Sequence, residues 1–340
     1  MFSVQPTIVR NADTRRGPRS KAPVFVLGSV RSGTTLLYHM LLSSGNFAVY
    51  RTESNVFNVL EPRFGNLGAE RNRRRLLDAW YISRLYTRTG LDKQELEPRM
   101  TAECRNGGDF LRIVMEEMAR KQGVKRWADT TPDHLLYLDR IKQTIPEALI
   151  IHIIRDGRDV ALSAGKQRYV RALPWDSTPS VLIAAMHWEW MVRKGLKDGR
   201  KLGDDYMEVH FEELIERPRE TLAKLGSFID HELDYDRIQQ VGIGSVSKPN
   251  TSFEANADFN PVGRWRIAYS RRELAAVEAL IGDTLQELGY ELATKDENAL
   301  HRPDLQRTKA MYRLYFDSKL YLKSKTPLGR LFVTRDLSWV

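Results

Sequence analysis

One cysteine, Cys104, stands in 340 residues, so the chain can form no intramolecular disulfide and no cysteine-based metal site. It reads as a small apolar residue. No uninterrupted apolar run approaches the roughly 18 residues of a membrane-spanning helix. The opening MFSVQPTIVRNADTRRGPRSK has none of the apolar core that a signal peptide carries. These absences point to a reducing compartment, the cytoplasm, as the expected location. Zinc-binding spacing, an RNA-binding signature and a basic zipper are also missing, so nucleic acid is not an expected partner. No internal repeat is found.

What is present in excess is positive charge. Lys and Arg number 53 against 44 Asp and Glu, a formal net charge of +9. With nucleic acid set aside, an anionic membrane or a strongly anionic ligand would suit that balance. Hydrophobic content of 42% and charged content of 29% are ordinary for a globular chain. The length suits one large α/β domain with helical additions.

Residues Pro23–Leu37, PVFVLGSVRSGTTLL, form the most informative stretch. A short apolar run, a Gly-containing loop and a helical pattern make the strand–loop–helix of a phosphate cradle, in which backbone amides hold an anion at a helix N-terminus. Gly28 and Gly33 occupy the glycine positions of G-x-x-x-x-G-K-[ST] and Thr35 its hydroxyl position. Thr34 stands where the nucleotide-binding lysine would be, and the cation has moved into the loop as Arg31. The cradle therefore suits a phosphate whose neighbour is not an ordinary γ-phosphoryl group.

A second apolar run, Ala148–Ile154, has the composition of a parallel strand buried on both faces. It ends in Arg155-Asp156-Gly157-Arg158-Asp159, with Ser163 farther on. Arg155 at a strand end could fork onto a phosphate, with the Ser163 hydroxyl beside it. Asp156 also resembles the magnesium-holding acid of a nucleotidase, but Arg155 and Arg158 would flank a cation unfavourably. No metal is expected, and two separated phosphates, one per strand end, fit better. His152 inside the run reads as a core histidine.

Elsewhere, residues 1–21 read as a basic arm and about 55–125 as a charged helical insertion. A further strand is expected near Tyr206–Phe211, and a helix over 271–288. The cluster Arg71, Arg73, Arg74 and Arg75 reads as a solvated helix face. Strands separated by helices predict an α/β fold of P-loop type: three layers, a central parallel sheet flanked by helices, with helical insertions. The main domain spans 22–295. Residues 296–340 form a helical, basic and aromatic extension, in which Tyr312, Tyr315, Phe316, Leu320 and Tyr321 interleave with Arg313, Lys319, Lys323 and Lys325. That extension could pack on the domain with snorkelling basic residues or touch an anionic membrane peripherally.

The loop GSVRSGTT, the segment IIRDGRDVALS and the later VGRWR resemble, in order, the sulfotransferase family. The resemblance covers residue 23 to about 290 and is nearest to the carbohydrate, tyrosylprotein and bacterial branches. It implies a donor, 3′-phosphoadenosine 5′-phosphosulfate (PAPS), and a product, adenosine 3′,5′-bisphosphate. Arg31, Ser32, Gly33, Thr34 and Thr35 would hold the 5′-phosphosulfate, and Arg155 and Ser163 the 3′-phosphate. Gly263, Arg264, Trp265 and Arg266 would close over the nucleotide, with Trp265 a packing or adenine-side contact. Glu53, after the cradle helix, is the expected base, with His134, His39 and His152 weaker candidates. Arg31 is the expected charge stabiliser, because Thr130 stands where many relatives place a lysine. The acceptor would be a hydroxyl of a carbohydrate, glycolipid, tyrosyl residue or small molecule. The rival readings are a P-loop kinase or nucleotidase, and a non-catalytic nucleotide-binding protein at a membrane surface.

Overall fold

The structure is a computed structural model that describes residues 18–241, 260–294 and 302–332. Four strands, β1 (Val24–Leu27), β2 (Ala128–Asp129), β3 (Leu149–Ile154) and β4 (Tyr206–His210), form one sheet in the order β2–β1–β3–β4. All neighbours are parallel. In β1/β3 the register runs from Val24 opposite Leu149 to Leu27 opposite His152. Successive strands leave β1 on opposite sides, so the order reverses at β1. Open α/β sheets bind ligands at the carboxyl ends of strands beside such a reversal.

The alternation of β1 and β3 sorts side chains between two cores. Phe25, Leu27 and Ile150 join the helical insertion through Trp80, Phe110 and Ile113, with Trp127 in the same cluster. Val24, Val26, Leu149, Ile151 and Ile153 face the helices Thr34–Ser43 and Pro218–Ile229 through Leu37, Leu41, Leu222 and Leu225. Burial on both faces explains the near-continuous apolar runs. A third cluster joins the end of β3 to the helices Gly157–Lys166, Ser180–Gly199 and Arg271–Glu287, around Trp188.

The expected insertion is a set of helices, chiefly Glu70–Tyr81, Lys93–Glu103 and Gly107–Lys121. One reading there needs correction. Arg71, Arg74 and Arg75 are exposed, but Arg73 is buried and donates to the carbonyl oxygens of Leu67 (3.0 Å) and Cys104 (3.4 Å). A helix of 3.6 residues per turn sends one member of such a cluster inward. Cys104 is buried as a core residue, and burial pushes its thiol up to about 12.

Residues 1–17 of the basic arm lie outside the described residues. Arg19, near its end, is docked: Nε donates to Phe228 O at 2.9 Å, and its own carbonyl accepts from Arg126 at 2.7 Å. The extension contributes the helix Pro303–Lys325, packed on the third cluster by Leu305, Tyr312 and Phe316. Residues 296–301 and 333–340 of the extension are outside the described residues.

His152 is fully buried, with Nδ1 2.6 Å from the Tyr206 hydroxyl. Burial first, then the charges of Arg200 and His210, pushes it down to about 3. The folded chain therefore keeps this ring neutral, whereas the unfolded chain protonates it near pH 6.5. Stability on its account is complete above about pH 6.5 and falls toward pH 3, by up to about 1.4 kcal/mol per pH unit. Urea unfolding between pH 7 and pH 4 should show this slope, and His152→Gln should flatten it. An equal slope in the variant would count against the assignment.

Candidate active site

β1 ends at Leu27 and the chain turns through Gly28–Gly33 into the helix Thr34–Ser43. The turn is tight enough to admit only glycine at two points. A Cβ on Gly28 would lie 2.4 Å from Ile153 O. One on Gly33, where φ is +96°, would lie 2.3 Å from the Phe211 ring. Arg31 also adopts a left-handed φ of 70°, a conformation that costs a non-glycine residue about 1–3 kcal/mol. The helix has no side-chain cap at Gly33. Its first-turn amides thus lack intrahelical acceptors, and the helix dipole favours an anion before them.

The end of β3 meets this loop. Arg155 donates to Arg31 O at 3.0 Å and to Pro261 O at 2.5 Å, with its guanidinium 4.5 Å from the centre of the Phe211 ring. Arg31 Nε donates to Ser163 Oγ at 2.9 Å. Trp188 Nε1 fixes the Arg155 carbonyl at 3.1 Å. Arg31, Arg155 and Ser163 are thus brought together from two strand ends. Neither arginine forms an ion pair among the described residues. Burial pulls the Arg155 guanidinium below its ordinary value, attraction to Asp159 and Glu212 opposes this, and repulsion from Arg264 and Arg31 adds to it.

Eight buried side-chain polar atoms have no hydrogen-bond partner among the described residues, and four of them follow three adjacent strands at their carboxyl ends. They are Ser29 Oγ and Ser32 Oγ after β1, Thr130 Oγ1 after β2 and Arg155 Nε after β3. A buried polar group left unpaired costs about 1–3 kcal/mol. The donor set of hydroxyls, guanidinium and helix amides fits an anionic oxygen-rich ligand.

The loop Gly263–Arg266 is tied to the same region by Asp159. Its carboxylate accepts from Gly263 N at 2.8 Å and Trp265 N at 3.0 Å, and burial raises its pKa. Trp265 is buried between two guanidinium groups, Arg158 at 3.7 Å and Arg266 at 4.5 Å from its ring. Asp156 is engaged by Arg158, which also reaches Glu278 at 2.6 Å. The motif RDGRD therefore divides its labour: Arg155 faces the loop, Asp156 and Arg158 pair, and Asp159 clamps residues 263–265.

Beyond β2 lies an arrangement that sequence reading did not anticipate. His134 is fully buried, with Nδ1 2.9 Å from Asp129 Oδ2, and its Nε2 accepts from Phe57 N at 3.2 Å. Thr131 Oγ1 lies 3.3 Å from both Ser54 Oγ and Asn55 N. These bonds pin the segment just after Glu53, which itself is exposed. His134 has both ring nitrogens occupied, which suits a scaffold rather than a base. His39 is buried on the cradle helix, where burial and then Arg51 lower its pKa. The signal for the network was the close spacing of Asp129, Thr131 and His134 around a proline, too common a pattern to read without coordinates.

A sulfotransferase family model matches residues 23–235, more than half of the chain. The chain belongs to the sulfotransferase family. Such enzymes move a sulfuryl group. The fold is similar to the sulfotransferase domain of the olefin synthase of Synechococcus PCC 7002, with a TM-score of 0.55 and 20% identity over 80% of this chain and 97% of that one. It is also similar to the sulfotransferase domain from the curacin biosynthetic pathway, with a TM-score of 0.57 and 17% identity over 82% of this chain and 99% of that one. At these identities the likeness is one of fold. No curated protein matches the sequence.

His134→Ala should free the segment after Glu53. It leaves the Asp129 carboxylate and the Phe57 amide short of a partner, at about 1–3 kcal/mol for each buried group. Hydrogen exchange should show faster exchange at Phe57 and Asn55, with the cradle helix unaffected. Unchanged protection at both amides would remove the scaffold role.

Proposed function

We propose that this sulfotransferase carries a sulfuryl group from PAPS to an acceptor hydroxyl in one in-line step. The acceptor oxygen attacks sulfur, the bond from sulfur to the 5′-phosphate oxygen breaks, and adenosine 3′,5′-bisphosphate departs. The observation that carries this reading is the set of Ser29, Ser32, Thr130 and Arg155 atoms at the sheet's carboxyl edge that have no partner among the described residues. Amides of Gly33, Thr34 and Thr35, with the hydroxyls of Ser32, Thr34 and Thr35, hold the 5′-phosphosulfate. Arg31 stabilises charge growing on the departing phosphate. Arg155 and Ser163 take the 3′-phosphate, and Gly263–Arg266 close over the nucleotide.

Glu53 takes the proton of the acceptor hydroxyl. Its support is position: it heads the segment that Thr131 and His134 hold at the end of β2. As in phosphoryl transfer, positioning and charge stabilisation account for most of the catalysis. The acceptor belongs to the carbohydrate, glycolipid, tyrosyl or small-molecule classes, met between the insertion 55–125 and the loop 165–180. No helix among the described residues is long and apolar enough to cross a membrane. A cytoplasmic location suits the single cysteine, and a peripheral membrane contact suits the charge of residues 305–335.

Calorimetry without metal should detect adenosine 3′,5′-bisphosphate binding to the full chain. Arg155→Ala should weaken it by about 10-fold or more, the scale of a lost charge-assisted hydrogen bond. Magnesium-dependent ATP binding with none for the bisphosphate would favour a kinase instead. Glu53→Gln should keep bisphosphate affinity and lose 10²–10⁴-fold in transfer, roughly the contribution of a general base. Transfer would be read from labelled PAPS incubated with a cell extract. Normal labelling by the variant would place the base elsewhere.

A further inference from the structure

The helix Pro303–Lys325 and the turn Gly329–Phe332 are held in a fixed rotation. Leu305, Tyr312 and Phe316 point inward. The Tyr312 hydroxyl donates to Asp176 Oδ2 at 2.6 Å and accepts from Leu173 N at 3.2 Å, which locks the helix against the loop after Lys166. Trp190 Nε1 and Lys194 both reach Asp317 at 3.0 Å from the neighbouring helix. This arrangement turns much of the aromatic stripe seen in the sequence inward. It leaves Tyr321 of that stripe (61% exposed) facing solvent, together with Leu314 (69%), Leu328 (45%) and Leu331 (64%).

Leu314 and Tyr321 are seven residues apart, two helical turns, and so share a face. Arg307, Arg313, Lys325 and Arg330 are exposed along the same stretch. Residues 302–332 carry eight Lys and Arg against two Asp, a net +6 within a chain of +9. Both acids are engaged, Asp304 by Arg302 and Asp317 by Lys194. Arg307, Arg313, Lys325 and Arg330 form no ion pair among the described residues. Most of the chain's net charge thus lies on one short segment, beside large apolar side chains that the fold leaves uncovered.

We propose that this face docks on an anionic lipid bilayer. Leu314, Tyr321, Leu328 and Leu331 enter the boundary between headgroups and acyl chains, and the four basic residues sit at lipid phosphates. The proposal rests on the peripheral contact suggested above and supplies its residues and its chemistry. The same segment also packs against the insertion. A Cβ on Gly329 would lie 3.3 Å from Pro62 O, on the chain that continues from Glu53.

The full-length protein can be sedimented with vesicles of phosphatidylcholine alone or with phosphatidylglycerol added. Binding is expected only to the anionic vesicles, with release at high salt. Each basic residue removed, as in Arg307→Gln and Lys325→Gln, should lower partitioning about fivefold. Leu314→Glu with Leu331→Glu should abolish it. No sedimentation with anionic vesicles, or equal binding to neutral ones, would overturn the proposal. So would a dimer that Leu314→Glu dissociates, since the face would then belong to a second copy. Calorimetry with adenosine 3′,5′-bisphosphate on the same variants reads the nucleotide site separately. Unchanged affinity is expected there, and its loss would show that these residues act through the fold, overturning the docking role.

Discussion

Two guanidinium groups with no carboxylate partner among the described residues, Arg31 and Arg155, meet at the carboxyl ends of β1 and β3, and much of the surrounding structure holds them there. Arg155 is bound to the Arg31 and Pro261 carbonyls, faces the Phe211 ring, and has its own carbonyl fixed by Trp188. Like charges brought together in a partly buried place repel. The arrangement persists because backbone dipoles, a π face and packed side chains hold it, and because Asp159 and Glu212 lie close enough to attract Arg155 without pairing with it. A ligand carrying two or more negative charges would relieve that repulsion. The left-handed Arg31 and the Ser29, Ser32 and Thr130 hydroxyls, unpaired among the described residues, belong to the same account. Strained backbone and unpaired polar groups of this kind cost free energy, which a bound anion would offset.

The sheet was largely legible in the sequence, for a physical reason. Strands buried on both faces become apolar runs, and those runs placed β1 within 23–28 and β3 within 148–154. The helix after the cradle begins at Thr34 because Gly33, at a left-handed φ of 96°, lies outside the helical region and closes the loop. β4, on the sheet's edge, mixes Glu208 and His210 with Val209 and is a weaker signal, although the expected position near 206–211 is correct. β2 pairs through only two residues, Ala128 and Asp129. A strand that short leaves no periodicity to read and is defined only by its partner.

The site divides in the same way. Arg31, Arg155 and Ser163 lie on local motifs, so their types and spacing could be read directly, and the fold brings them together. What could not be read is the set of groups that arrive from distant parts of the chain. Phe211 beneath Arg155 comes from the end of β4, and the carbonyl of Pro261 from a loop more than a hundred residues after it. Asp159 was visible as a residue but not as the clamp on Gly263 and Trp265. The Asp129–His134 pair stayed hidden because its function is to hold the backbone of Phe57, and no local pattern marks a side chain aimed at a distant amide.

The chain's positive charge is divided by the fold. The total of +9 is a single number to which two unlike populations contribute. One is the group around the cradle, where Arg31 and Arg155 are held close together by carbonyls and a hydroxyl. The other is the last helix, where Arg307, Arg313 and Lys325 are spread along an exposed face beside Leu314 and Tyr321. The first suits a compact polyanion, because buried guanidinium groups act through a low dielectric over short distances. The second suits a broad anionic surface, because exposed charges are screened beyond about 10 Å and act collectively. Sequence reading assigned the aromatic residues of the last helix to one stripe. Helix rotation, set by Tyr312 and Asp317, divides them instead between a buried seam and an exposed face. That division separates the residues that hold the extension to the domain from those left to meet something outside it.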